Sequence, residues 1–165
     1  MAKVKAEKTN TITLSSGVVL EWRRVGWWIV NAAARRLSKP KVPMQFIEEK
    51  GREDPNPAHP DYIAALDEYD AAYRDIVYDA YLWFGTSILS KPENMLGPDE
   101  DWPADYAFLG IEAPEGKQRR YVEWVKMVAC LGDEVEVASV ITRVRAESTV
   151  SEEDVTAAAE SFPGQ

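Results

Sequence analysis

Residues 61–89 read DYIAALDEYDAAYRDIVYDAYLWFGTSIL, and this stretch decides how the chain folds. Mostly apolar side chains, half of them aromatic, recur along it every three or four residues, a spacing that places them on one face of an α-helix. The members of this face are Tyr62, Leu66, Tyr69, Tyr73, Ile76, Ala80, Trp83 and Ser87. The other side of the first turns is charged, with Asp67, Glu68, Asp70, Arg74, Asp75 and Asp79. The pattern therefore predicts one long helix over residues 61–89.

Between residues 76 and 84 the predicted helix is apolar or aromatic nearly all round. Such a segment must be covered, either by the rest of the protein or by a partner. Two pairs of adjacent aromatic residues, at 27–28 and 83–84, cannot be buried equally by one helix, and aromatic side chains dominate the hot spots of protein interfaces. The predicted partner-binding residues are therefore Trp27, Trp28, Tyr78, Tyr81, Trp83 and Phe84.

The bulk composition indicates a globular protein. The chain has 165 residues, is 45% hydrophobic and carries a net charge of −9. A negative surface repels phosphate backbones and anionic membranes, so neither nucleic acid nor membrane is expected as a partner. No stretch approaches the roughly 20 apolar residues needed to cross a bilayer. We expect a flexible leader over 1–10, a single mainly helical domain over 11–162 and a tail over 163–165.

Local patterns place the other elements of the chain. Period-two alternation around Ser15-Ser16-Gly17 predicts a β-hairpin, with strands over 11–14 and 18–22. The fold class expected from these patterns is mainly α, a small helical domain with an N-terminal β-hairpin. The further predicted segments are a helix over 27–37, an extended segment over 44–48, a stiff proline-rich connector over 51–60, short helical turns over 102–109, a helix over 116–131 capped by Gly132, a helix from Asp133 to about residue 146, and a last helix from the capping box at 151–154 towards 162.

The sequence offers no catalytic residues, no metal ligands and no cofactor site. His59 is the sole histidine and Cys130 the sole cysteine, which excludes two-histidine and cysteine-based metal sites within one chain. Residues 99–101 are acidic but lack the alternation of a calcium loop, and residues 110–118 lack the glycine spacing of a phosphate loop. We therefore predict a protein that is not an enzyme. One small basic cluster is expected to form salt bridges with the acidic loops: Lys117, Arg119 and Arg120.

The order of four short segments is similar to that of a known protein family. The likeness is carried by TITLSSG at 11–17, PKVP at 40–43, NPAHPDY at 56–62 and VSEEDV at 150–155, and it covers most of residues 11–162. In this order the chain resembles the tail assembly chaperones of long-tailed bacteriophages, the small proteins encoded just before the tape measure protein.

The resemblance implies a non-enzymatic role in the cytoplasm of the bacterial host. Proteins of this family are thought to coat the hydrophobic, helical tape measure protein, keep it soluble, and leave as the tail tube polymerises. Many are made in two lengths by a ribosomal frameshift. The implied partner is the tape measure protein, with self-association or other tail proteins as further possibilities.

Two other classes of function stay open at this stage. An acidic inhibitor of a host protein would imitate DNA or fill a basic groove, and would show clustered carboxylates with little exposed aromatic surface. A structural tail or head-completion component would be retained in the virion, where a chaperone would be absent.

Overall fold

The structure is a computed structural model that describes residues 10–148. Most of the predicted leader, the tail and the helix expected from residue 151 towards 162 lie outside the described residues. In chain order the elements are β1 (Thr11–Thr13), β2 (Val19–Trp22), α1 (Trp27–Ala34), β3 (Met44–Ile47), a 3₁₀ turn (Glu48–Lys50), β4 (Arg52–Pro55), α2 (Pro60–Gly85), β5 (Thr86–Ser90), a 3₁₀ helix (Trp102–Leu109), α3 (Lys117–Trp124), a π-helical turn (Val125–Ala129) and α4 (Glu134–Ser148).

The expected fold class, mainly α, is wrong. The described residues are 53% helical and 14% strand, and the strands form two small sheets, so the fold is mixed α/β. The chain divides into two compact units. The smaller unit is Trp28–Ala80, and the larger unit contains the described residues 10–27 and 81–148.

The sheet of the larger unit explains part of this correction. Its strands are antiparallel in the order β1-β2-β5, so the predicted N-terminal hairpin is confirmed and gains a third strand. The sequence pattern predicts the last turn of the long helix over most of that strand, β5, from Thr86 to Leu89. The helix instead ends at Gly85, because the chain changes there to the extended backbone that pairs with β2.

Steric contact explains why the residue at this change is glycine. A Cβ atom added to Gly85 would collide with Cγ1 of Val144 and would lie 2.9 Å from Cγ2 of Val25. Only a residue without a side chain lets α2 and its neighbours approach so closely. The helical spacing continues to Ser87 in the sequence, and five residues are too few for periodicity to distinguish helix from strand.

The last carbonyl groups of α2 are satisfied without another helical turn. The hydroxyl of Thr86 donates to the carbonyl of Leu82 at 2.6 Å. Arg23 donates through Nε to the carbonyl of Phe84 at 2.7 Å and through its backbone N–H to the carbonyl of Gly85 at 2.9 Å. A helix end leaves such carbonyls unpaired, and a cation there also complements the helix dipole.

The hairpin tip is tied to the helices of the larger unit. The backbone N–H and hydroxyl of Ser15 donate to the carboxylate of Glu136 at 2.7 and 2.9 Å. The hydroxyl of Ser16 donates to the carbonyl of Ala129 at 2.5 Å. These bonds anchor the short strands, which bury apolar side chains in a shared core. The fully buried large side chains of that core are Trp102, Trp124, Leu20, Leu82, Val18, Val125, Val140, Val144 and Cys130.

The helices near the C-terminal end lie where the sequence predicted them. The segment predicted over 116–131 forms α3 and continues into a π-helical turn, an irregularity that the apolar spacing did not reveal. Gly132 follows with a φ of 72° and donates its N–H to the carbonyl of Lys126. Asp133 then opens α4 by accepting the backbone N–H of Val135 at 2.8 Å.

The smaller unit contains a second hairpin where the sequence suggested a connector. β3 confirms the extended segment predicted from residue 44, and β4 lies inside the predicted connector, which is a correction. The charged residues of β4 have low strand propensity, but Asp54 pairs with Lys50 at 3.0 Å and with Arg52 at 2.9 Å. Gly51 supplies the positive φ, 60°, that the turn requires.

Replacing Gly85 by alanine should destabilise the larger unit. An added methyl group in a packed interior typically costs about 1–3 kcal/mol. Urea unfolding of Gly85→Ala, Val144→Ala and the double variant would measure the free energy of unfolding. Because Val144→Ala removes the clashing atom, the double variant should be less destabilised than the sum of the single variants. Strict additivity would contradict the steric explanation.

Candidate interaction surfaces

Two tryptophans of the larger unit hold a loop in place. Trp102 is 1% exposed and donates its Nε1–H to the carbonyl of Pro98 at 3.3 Å. Trp124 is fully buried and donates its Nε1–H to the carbonyl of Leu96 at 2.7 Å. These side chains are core residues that fix the loop following β5, so they are not available as interface aromatics.

Arg120 binds the same loop in a way that the sequence did not predict. Its guanidinium donates to the carbonyl of Pro98 at 3.3 Å and to the carbonyl of Glu100 at 2.7 Å. The expected salt bridge with the acidic side chains of this loop is therefore replaced by bonds to its backbone. Arg119 lies near Glu123 within its own helix, at 3.8 Å, and Lys117 is exposed.

An open groove of about 450 Å³ lies on one side of Trp102, and we call it the acidic groove. Its apolar lining includes Ile111 and Met127, and its charged lining includes Glu112, Glu115 and Glu123. Arg119 also lines it, and Lys126 lies 3.7 Å from Glu123, so the basic side chains are grouped around one of the three carboxylates. Glu112 and Glu115 are exposed at the rim.

A second open groove of about 470 Å³ also touches Trp102, and we call it the apolar groove. It lies between the hairpin loop, the segment after β5, the 3₁₀ helix and the end of the π-helical turn. Its lining residues are Ser16, Pro92, Asn94, Met95, Leu96, Trp102, Asp105, Tyr106, Val128 and Leu131. The ring of Tyr106 meets Trp102 edge-on, with 6.0 Å between the ring centroids.

Several apolar side chains of the larger unit are exposed, and some of them line the grooves. The end of the 3₁₀ helix exposes Phe108 and Leu109, by 83% and 60%, and Ile111 just after it is 38% exposed; we call this set the Phe108 ridge. Ile111 belongs to the lining of the acidic groove. At the apolar groove, the lining residue Leu131 is 64% exposed. Grouped apolar exposure of this kind is typical of interaction sites.

The six aromatic residues predicted as partner contacts differ in their surroundings. Trp27 and Trp28 are 73% and 63% exposed, and Phe84 is 38% exposed. The other three, Tyr78, Tyr81 and Trp83, are half-buried. Trp83 packs edge-on against Tyr121, with ring centroids 5.6 Å apart. Trp28 and Tyr78 belong to the smaller unit and the other four to the larger unit.

Sequence reasoning missed the Phe108 ridge and Leu131. A usable signal was present, because Phe108 and Leu109 are adjacent and are followed at once by Gly110, which ends the helical segment with a φ of 74°. The same adjacency argument had singled out Trp27 and Trp28. Leu131 gave no such signal, since it continues an apolar helical face; its exposure follows from its unusual φ of 53° in the turn before α4.

The charged side of α2 agrees with the sequence pattern. Asp67, Glu68, Asp70 and Asp75 are exposed and Asp79 is half-buried. His59 lies in the turn before α2, where its Nδ1 accepts the backbone N–H of Asp61 at 3.3 Å.

Within residues 10–148, no group of three or more His, Cys, Asp and Glu side chains could hold a metal ion. No helix in this part of the chain is long and apolar enough to span a membrane. No protein-family model, curated protein or solved structure matches the chain.

Cys130 is buried, as the sequence predicted. Its side chain is 0% exposed and follows the π-helical turn. Burial, together with the nearby carboxylates of Glu136 and Asp133, raises the pKa of the Cys130 thiol from 9.0 to about 12. The thiol is therefore protonated at neutral pH, the form that does not act as a nucleophile.

Native Cys130 should react slowly with thiol reagents. At pH 8 we expect alkylation by iodoacetamide in buffer to be more than about tenfold slower than in denaturing urea, because only the thiolate reacts. Mass spectrometry gives one unambiguous adduct, since the chain has a single cysteine. Equal rates in the two conditions would show that the thiol is accessible and ionisable in the native protein.

Proposed function

We propose that this chain is a non-enzymatic tail assembly chaperone that binds apolar helical segments of a tape measure protein and keeps them in solution in the bacterial cytoplasm. The observation that carries the proposal is the exposure of apolar side chains in the larger unit, at the Phe108 ridge and at Leu131, of which Ile111 and Leu131 line open grooves. The resemblance in sequence order supports the choice of partner.

The Phe108 ridge is the strongest part of this support. Phe108 is 83% exposed, although burying a phenylalanine side chain gains about 1.5–3 kcal/mol. Phe108, Leu109 and Ile111 stay exposed in the folded chain. Burying them against another molecule would therefore contribute this free energy to binding. Phenylalanine is one of the residue types that are enriched in the buried cores of protein interfaces.

The grooves favour an amphipathic helix as the bound segment. Such a helix lays its apolar face into a groove, using side chains three or four residues apart. The acidic groove combines Ile111 and Met127 with the exposed carboxylates of Glu112 and Glu115. A helix with apolar residues on one side and lysine or arginine beside them would complement this lining.

The net negative charge of the chain supports the proposal that it keeps its partner in solution. Each bound copy adds the charge of a chain whose net value is −9. Copies that carry like charge repel one another, which opposes aggregation of a partner whose apolar face they cover.

The acidic inhibitor remains a second candidate because α2 exposes Asp67, Asp70 and Asp75 on its charged side. Against it stands the aromatic exposure of Trp27, Trp28 and Phe108, since a DNA-imitating surface has no use for such side chains. The structural virion component is distinguished by mass spectrometry of purified particles, which would contain it and would lack a chaperone.

Co-expression tests the proposed function directly. The neighbouring tape measure protein is produced in bacteria with and without this chain, and its soluble fraction is measured after centrifugation. We expect the wild-type chain to raise the soluble fraction several-fold. An unchanged soluble fraction would contradict the chaperone proposal and favour an inhibitor or a virion component.

Variants of the Phe108 ridge should lose this effect. Phe108→Ser combined with Leu109→Ser should reduce the retained tape measure protein by about tenfold or more, since each truncated hot-spot side chain costs about 2 kcal/mol. The matched control is Leu89→Ser, which removes an apolar side chain of similar exposure, 59%, on β5. Circular dichroism verifies that all variants keep their helix content. Equal loss from the control would locate the binding elsewhere.

A further inference from the structure

The smaller unit, Trp28–Ala80, buries very little of its apolar surface. All of its residues are described, and its buried apolar side chains are Val30, Ala34 and Ala80. Its exposed large apolar side chains are Trp28, Val42, Met44, Phe46, Ile63 and Tyr73. A unit that exposes more large apolar side chains than it buries has an incomplete core, and grouped exposure of this kind is typical of interaction sites.

The charges of this unit are separated along the chain. Residues 28–47 contain four basic residues and no acidic residue. Residues 60–80, which belong to α2, contain six acidic residues and a single basic one, Arg74. Two groups are fully exposed: the basic segment, which we define as Arg35, Arg36, Lys39 and Lys41, and the acidic set, which we define as Asp67, Glu68, Asp70 and Asp75.

Neither group is neutralised within the part of the chain that the structure describes. In the smaller unit, Lys50 and Arg52 pair with Asp54 at 3.0 and 2.9 Å, and His59 lies 3.9 Å from Asp61. No ion pair between residues 10 and 148 includes a member of the basic segment or of the acidic set. Opposite charges that face solvent in this way favour association when they meet across an interface.

We propose that two copies of this chain associate through their smaller units, with the basic segment of each copy against the acidic set of the other. A two-fold axis relates the copies, so the same contact forms twice. Both charged groups are then neutralised in both copies.

Apolar side chains accompany both charged groups. Ile63, Asp67 and Asp70 are spaced by four and three residues, so they share one face of α2, and Ile63 is 46% exposed. Val42 and Met44 follow the basic segment and are 38% and 55% exposed. The contact therefore combines ion pairs with apolar burial, and it covers side chains that the smaller unit leaves open.

A second copy is chosen as the partner because one chain supplies both signs of charge. A different protein would need an acidic surface for the basic segment and a basic surface for the acidic set. Charge also fixes the arrangement of the two copies. Acidic set against acidic set, or basic segment against basic segment, would place like charges together and weaken association. The inference goes beyond the proposed function, since it concerns the smaller unit and needs no tape measure protein.

The salt dependence of association gives a first test. Sedimentation equilibrium of the wild-type chain at low ionic strength should show a reversible dimer, and added sodium chloride should weaken it by screening the contact. Repulsion between two chains of net charge −9 predicts the opposite trend, because salt would then favour association. A monomer at low ionic strength, or a dimer that salt strengthens, would overturn the proposal.

A charge exchange tests which groups meet. One variant carries Lys39→Glu and Lys41→Glu, and the other carries Asp67→Lys and Asp70→Lys. Each variant alone has like charges in both contacts, and its dissociation constant should rise about tenfold or more. In an equimolar mixture, one contact of the mixed dimer is wild type and the other has both charges exchanged. The mixed dimer should therefore form with about the wild-type dissociation constant.

A chain that carries all four changes distinguishes pairing between copies from pairing within one copy. It should dimerise like the wild type under either arrangement, whereas the mixture recovers only if the two groups meet across copies. Recovery in the mixture also excludes misfolding of the separate variants. A mixture as weak as the separate variants would contradict the proposal.

Matched controls separate the contact from a change in net charge. Lys117→Glu with Arg145→Glu, and Asp99→Lys with Asp101→Lys, make the same changes of charge at exposed sites outside the smaller unit. Both controls should keep the wild-type dissociation constant within about twofold. Weakening of the controls equal to that of the test variants would show that net charge, and not this contact, governs association.

Discussion

The larger unit depends on one close contact, the approach of Gly85 to Val144 and Val25. Because no side chain fits there, α2 can end directly against its neighbours and the chain can continue as β5 without a loop. Arg23 and Thr86 satisfy the carbonyl groups that the end of the helix leaves open. β5 in turn makes β2 the central strand of its sheet. A helix that ran on to residue 89, as the sequence pattern predicted, would leave the N-terminal hairpin without its third strand.

The elements that the sequence predicted correctly are those with a local physical cause. The first hairpin follows from alternation around Gly17, and the start of α4 follows from the side chain of Asp133. The errors arose where distant residues decide the conformation. β5 depends on pairing with β2, and β4 depends on a partner strand and on the ion pairs of Asp54 with Lys50 and Arg52. Neither cause is visible within the window that periodicity examines.

The candidate surfaces show the same division between local and distant causes. Their adjacency made Trp27 and Trp28 interface candidates, because one helix cannot bury neighbouring positions equally, and both side chains are exposed. For Trp83 the outcome depended on Tyr121, which lies far away in the sequence and partly covers it. The same argument from adjacent side chains could have identified Phe108 and Leu109. The exposure of Leu131, in contrast, depends on a backbone angle. The sequence pattern was enough to place exposed carboxylates on α2, but it did not predict the grooves beside Trp102.

The bonds of the hairpin tip have a consequence for how the protein is made on the ribosome. Ser15 binds Glu136, and after β2 the backbone N–H of Val25 donates to the hydroxyl of Ser148 at 2.9 Å. Both partners are synthesised more than 100 residues later. The smaller unit, in contrast, is continuous in sequence, so its hairpin and the first turns of α2 can form during synthesis. β1 and β2 are therefore synthesised before the smaller unit, and the bonds that tie them to α4 form after it. During that interval their apolar faces depend on the nascent chain itself, or on the cell's own chaperones, for protection.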